Sequence, residues 1–265
     1  MTMPEPLPLI DSHCHIDFDV FDSHRHELLE RCGALGMLGV LVPGVTRCRW
    51  KNLKLVCDQS EMLFPCFGLH PCFMSSHCGD DLDALPQMLE QGAVAVGEIG
   101  LDALTGRNNL DQQISLFEAQ LKLAQQMKLP VIVHARKTHD LIAKSVRKLR
   151  FQQGGIVHAF SGSLQQAQVL VSLGFKLGFG GAATYERANK LRSIFRALGD
   201  EDIVLETDAP DIPPAFAKNQ PNSPENLFKI TEILAEIRHC SGVELAKSTS
   251  RNVMELFSLK LERSY

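Results

Sequence analysis

Residues 94–135 read VAVGEIGLDALTGRNNLDQQISLFEAQLKLAQQMKLPVIVHA, and they hold one complete repeat of the fold. Val94 to Ile99 and Pro130 to Ala135 are short, β-rich apolar runs. Between them Leu110, Ile114, Phe117, Leu121 and Ala124 recur at helical spacing and lay one apolar stripe along a helix. The same alternation extends in both directions. Runs from Leu7 to His15, Gly39 to Val45, Leu63 to His70, Gly155 to Phe160, Phe175 to Gly180 and Ile203 to Asp208 bring the strands to eight. Most are continuous apolar runs, as expected of strands covered by helices outside and filled by side chains inside. Helical patterns over Pro224 to His239 and Gly242 to Leu259 supply a last wall and a closing helix. The expected fold is α/β, a single-domain TIM (β/α)8 barrel over residues 1–265, since such a barrel fills about 250 residues.

Composition is that of a globular protein and excludes several other classes. Hydrophobic residues are 45% and charged residues 22%, which rules out disordered and fibrous chains. Lys and Arg number 27 against 31 Asp and Glu, a net charge of −4, so a broad basic surface for duplex nucleic acid is not expected. The opening MTMPEPLPLI lacks the basic and apolar regions of a secretory signal, and the longest apolar stretch, Leu35 to Val45, is too short for a bilayer. Seven of the eight cysteines precede residue 80 without a C-x-x-C pair, and Cys66, Cys72 and Cys78, six residues apart, fit no common zinc spacing. They read as reduced thiols of a cytoplasmic protein.

In such a barrel the active site lies at the carboxyl ends of the strands. These ends are rich in metal-ligating residues. The first run ends in Asp11-Ser12-His13-Cys14-His15, where the period of two turns His13 and His15 to one face. Glu98, His134, His158 and Asp208 end four further runs. One H-x-H or one strand-end acid is ordinary; six such groups converging on one cavity would repel or stay poorly solvated without cations. Six donors exceed the needs of one zinc, and Glu98 stands as the natural bridge between two cations. His70 reads as an acid or phosphate contact, or as a capping histidine before Pro71. Glu206, one layer below Asp208, reads as an orienting residue or a paired buried acid. Arg136 reads as a phosphate fork or an outward ion pair, and Lys218 as a backbone contact or an ordinary loop lysine. The stripe from Leu110 to Ala124 reads as core packing alone.

The ordered motifs H-C-H-I-D, G-L-H-P, A-V-G-E-I-G-L-D, P-V-I-V-H-A-R, I-V-H-A-F-S-G and L-E-T-D-A-P, followed by Asn222-Ser223-Pro224 and the stretch Asn252 to Phe257, resemble the TatD family of metal-dependent deoxyribonucleases in the amidohydrolase superfamily. The resemblance runs nearly from end to end. It implies one cation on His13, His15, Glu98 and Asp208 and a second on Glu98, His134 and His158, the metals being zinc, manganese or magnesium. It implies a phosphodiesterase acting on single-stranded DNA ends, of 3′ to 5′ exonuclease type, with Asp208 as base and Glu98 and His70 beside the reacting groups. The chain departs from the family at Ala103 and Leu104, where relatives carry aromatic residues, and at Lys137 and Asp211. Those departures bear on substrate and leave all six ligands in place. The rival readings are hydrolysis of another ester or amide, and a non-catalytic scaffold, which would need a missing ligand.

Overall fold

A computed structural model describes residues 7–105 and 107–260; Met1 to Pro6 of the proline-rich opening lie outside the described residues. Eight strands follow one another in a single sheet in chain order: β1 (Leu9–Asp11), β2 (Met37–Pro43), β3 (Leu63–Phe67), β4 (Ala95–Asp102), β5 (Val131–Arg136), β6 (Gly155–Val157), β7 (Phe175–Phe179) and β8 (Ile203–Leu205). The pairs are parallel, with Ile10 opposite Gly39, Phe67 opposite Val96 and Val133 opposite Val157. Helices α1 (Arg25–Ala34), α2 (Arg47–Cys57), α3 (Gly79–Leu89), α4 (Leu110–Met127), α5 (His139–Leu149), α6 (Leu164–Ser172), α7 (Asn189–Ala197), α8 (Asn226–Arg238) and α9 (Gly242–Phe257) alternate with them. This is the expected TIM (β/α)8 class.

The chain gathers into two compact units, one from residues up to Leu41 together with those from Phe179 onward, the other Val42–Gly178. Both cuts fall inside strands, β2 and β7. In the first unit Leu9, Ile10, Leu41, Val204 and Leu205 are buried, and α9 packs on β1 and β8. Ser250 Oγ accepts from Ile10 N–H at 2.9 Å and donates to Pro8 O at 2.8 Å, while Asn252 Nδ2 donates to the carbonyls of Asp200 and Ile203. The closing helix read from sequence thus holds β1 and β8 by polar contacts.

In the second unit Val96, Ile99, Val131, Ile132 and Val133 are sealed from solvent, and α4 packs on β4 with Phe117, Leu121 and Ala124 buried. Each such apolar side chain stabilises the fold by about 1.5–3 kcal/mol. The buried face of α4 is not purely apolar, which corrects the sequence reading. Gln113 and Gln120 are buried in the same face, while Leu110 and Ile114 are only half-buried. Gln120 grips the backbone of Leu69, accepting from its N–H at 2.8 Å and donating to its carbonyl at 3.1 Å. Gln113 does the same to Asp102, at 2.8 and 3.1 Å. Each amide satisfies a donor and an acceptor that the end of the sheet leaves unpaired. The segments after β3 and at the tip of β4 are thereby fixed.

Gln120→Ala is therefore expected to leave buried groups of Leu69 unpaired, at a cost of about 1–3 kcal/mol each. Thermal unfolding should shift down by about 2–4 °C for each kcal/mol. An unchanged melting temperature would contradict the clamp.

Candidate metal centre

In the first unit β1 stops at Asp11, earlier than its apolar run suggests, because a side chain takes over from the ladder. Asp11 Oδ1 accepts from His13 N–H and Thr207 N–H at 3.2 and 3.0 Å, and its Oδ2 accepts from the Thr207 hydroxyl at 2.6 Å. Burial pushes the Asp11 carboxyl up to about 7, although the Thr207 hydroxyl and the amides oppose the rise. This acid ties the end of β1 to the segment following β8. Asp208 N–H then donates to His13 O, and His15 N–H to Ala209 O, each at 2.8 Å.

The ties bring three donor atoms together. His13 Nε2 and His15 Nε2 lie 3.3 Å apart, with Asp208 Oδ1 at 3.4 Å from the first and 3.8 Å from the second. His13 is sealed, Asp208 is 8% exposed, and the His15 ring stacks on Phe18 at 4.6 Å. Donors disposed tetrahedrally at about 2.0–2.2 Å from a cation stand roughly 3.3–3.6 Å apart. Two of the three separations fall in that range, and the His15–Asp208 distance of 3.8 Å lies just beyond it.

In the second unit a single carboxylate oxygen collects three imidazoles. Glu98 Oε1 is 2.9 Å from His70 Nε2, 3.2 Å from His134 Nδ1 and 2.9 Å from His158 Nε2, and Glu98 is only 1% exposed. His134 Nδ1 and His158 Nε2 are themselves 3.1 Å apart. Local backbone explains how the strands come so close. Gly100 has φ of 139°, and a Cβ there would collide with the carbonyl of His134. A Cβ at Gly68 would sit 2.8 Å from the carbonyl of Glu98. Both positions require glycine.

The protonation of His134 bears on what the second set can hold. His134 Nε2 faces Asp102 Oδ2 at 3.1 Å and so carries the ring's proton toward that carboxylate. A neutral ring then presents an unprotonated Nδ1 to the Glu98 carboxylate and to His158. Lone pair faces lone pair unless a second proton or a cation lies between. Consistent with that field, burial draws the His134 pKa down but the bonds to Asp102 and Glu98 outweigh it, and the net direction is up. His70 moves the other way, lowered because burial outweighs Glu98. The donor set suits a divalent cation, with Asp102 orienting the ring from behind.

The capping reading of His70 is the one seen directly, and its other ring nitrogen faces Glu98. Its Nδ1 accepts from Cys72 N–H at 3.1 Å, capping the 3-10 turn Pro71–Ser76, and its Nε2 reaches Glu98. Arg136 ends β5 with its side chain exposed and without a hydrogen bond or ion pair to another described residue. Lys218 is exposed at the end of the 3-10 turn Ala215–Ala217. Glu206 is buried one layer below Asp208, and a Cβ at Gly180 would lie 3.5 Å from its Cγ.

The sequence reading missed Asp11 and Asp102 as site residues. Asp102 was legible in principle. Glu98, Gly100 and Asp102 share one face of a strand by the period of two, but Gly100 reads as a strand breaker that closes the run at Ile99; β4 continues to Asp102.

Removing the carboxylate charge at Glu98 by Glu98→Gln, or the orienting acid by Asp102→Asn, is expected to weaken divalent-cation binding, the latter by about 10–100-fold. Calorimetric titration of the metal-free protein measures it. Unchanged affinity in both variants would remove this set from metal binding.

Comparison with known proteins places the chain in a family. Residues 10–258 match the family model described as TatD related DNase. A metal-dependent hydrolase of Escherichia coli K12, YjjV, is 38% identical over 253 residues, spanning 94% of this chain and 98% of its own. Its crystal structure superposes with a TM-score of 0.92 over 97% of this chain and all of that one. A protein of Rahnella sp. named 3′-5′ ssDNA/RNA exonuclease TatD is 31% identical over 252 residues, covering 92% of this chain and 95% of its own. The chain belongs to the TatD family of metal-dependent hydrolases.

Proposed function

We propose that this hydrolase is a phosphodiesterase that shortens single-stranded DNA from its 3′ end, using one divalent cation on His13, His15 and Asp208 and another on Glu98, His134 and His158. The observation that carries the reading is the pair of donor sets, each with separations close to those of a cation's ligands. The sharing of Glu98 between both cations, and the working of residues 1–265 as one domain, belong to the proposal and come from the family resemblance and the strand pattern. Zinc, manganese and magnesium are the candidate metals. The mixed imidazole and carboxylate donors suit the first two better than the third.

Bound divalent cations supply Lewis acidity toward a phosphoryl oxygen and acidify water. The chain's own residues do the rest. Asp208, at the solvent-reached edge of its set, receives the proton of the attacking water. His70, neutral and with its single proton on Nε2, keeps Glu98 oriented until that proton turns from the carboxylate to the leaving oxygen. The unpaired guanidinium of Arg136 offers a planar fork to a non-bridging phosphate oxygen, and Lys218 a point charge to the next backbone phosphate. Glu206 steadies the layer beneath Asp208. A net charge of −4 disfavours long tracts of duplex and suits a strand end. No described helix is long and apolar enough to cross a membrane.

The test is a single-stranded oligonucleotide labelled at one end or the other, incubated with manganese, magnesium or zinc and with a chelator control. Progressive loss from the 3′ end is expected, abolished by chelator and reduced by orders of magnitude in Asp208→Asn with the fold retained. Absence of metal-dependent cleavage of DNA and RNA, together with hydrolysis of a carboxylic ester or amide, would replace the nuclease reading by the rival one.

A further inference from the structure

We propose that Cys72, Asp102 and His134 form an additional site, specific for a thiophilic divalent cation of the zinc and cadmium class, on the far side of the His134 ring from Glu98. The donor atoms of His70, Cys72 and His134 lie within 4.8 Å of one another. Asp102 closes the group: its Oδ2 accepts from the Cys72 thiol at 3.4 Å and from His134 Nε2 at 3.1 Å. Its other oxygen is committed to the N–H groups of Leu104 and Thr105 at 2.7 and 2.8 Å, so Oδ2 is held in place for the site.

The group is rigid and open to entry. Gln113 clamps the Asp102 backbone, and the Cys72 amide is tied to His70 Nδ1. Asp102 is sealed, whereas Cys72 is partly exposed and reachable. The even spacing of Cys66, Cys72 and Cys78 plays no part: Cys66 is buried and Cys78 exposed, and only Cys72 meets imidazoles and an acid. A sulfur, a nitrogen and an oxygen donor select zinc or cadmium and are poorly suited to magnesium, which takes oxygen ligands in octahedral array.

Occupation is balanced in protons. Cys72 releases its thiol proton to solvent, and the sulfur forms the new bond to the cation. The ring proton of His134 leaves Nε2 for solvent, and one is taken up at Nδ1. One imidazole thus serves either site through opposite nitrogens, so a thiophilic cation draws His134 away from Glu98 and His158. The expected consequence is that excess zinc inhibits the enzyme.

Cadmium titration of the metal-free, full-length protein tests this without any nucleic acid, so its outcome is independent of the substrate proposed above. The wild type should show thiolate-to-cadmium charge-transfer absorption, and Cys72→Ser should lose that band and one cadmium equivalent while keeping its manganese affinity. A triple variant, Cys48→Ser, Cys78→Ser and Cys240→Ser, removes the other thiols with solvent access and should keep the band in full. Persistence of the band and of every cadmium equivalent in Cys72→Ser, or loss of the band in the triple variant, would overturn the site.

Discussion

A carboxylate sealed from water with three imidazoles gathered on one of its oxygens is the constraint around which the second unit is organised. Burying an ionised acid costs several kcal/mol unless charge compensates it. His70 donates to Glu98, while His134 Nδ1 and His158 Nε2 crowd the same oxygen and leave room for a cation's charge, and the His134 ring is polarised from behind by Asp102. Much of the surrounding structure follows from keeping these groups in reach. Gly68 and Gly100 remove Cβ atoms that would hold backbones apart. Gln113 and Gln120, spaced seven apart on α4, secure the backbones of Asp102 and Leu69 by paired hydrogen bonds. The helix that covers the sheet is thus also the brace of the site.

The first unit solves a related problem by a different device. Two imidazole nitrogens 3.3 Å apart can share at most one hydrogen bond, yet both aim at Asp208. They are held there by Asp11, whose carboxylate replaces ladder bonds beyond the end of β1 and binds Thr207, the neighbour of Asp208. Asn222 adds a further restraint through Nδ2, which donates to the carbonyls of Thr207 and Ile212. Positioning through neighbours of this kind sets the orientation and basicity of metal ligands.

The candidate donor residues were legible because strand ends in a parallel α/β chain can be read from apolar runs, and because H-x-H fixes two imidazoles on one face. The long helix was legible from its period, but not the rotation of its buried face, since Gln113 and Gln120 read as polar surface until their backbone partners are known. The runs through His15 and Asp208 overstate strands that stop at Asp11 and Leu205, where side-chain bonds displace the ladder. The run ending at Ile99 understates β4 because glycine punctuates sequence even where it serves close approach. The nearness of Cys72 to Asp102 and His134 depends on the turn after β3 and has no signature in cysteine spacing.

The central claim is that the two donor sets hold cations. Manganese anomalous diffraction from crystals of the full chain addresses it most directly. One anomalous peak bounded by His13, His15 and Asp208 and one bounded by Glu98, His134 and His158 are expected. Peaks lying only elsewhere, with both sets held together by hydrogen bonds at saturating manganese, would contradict it.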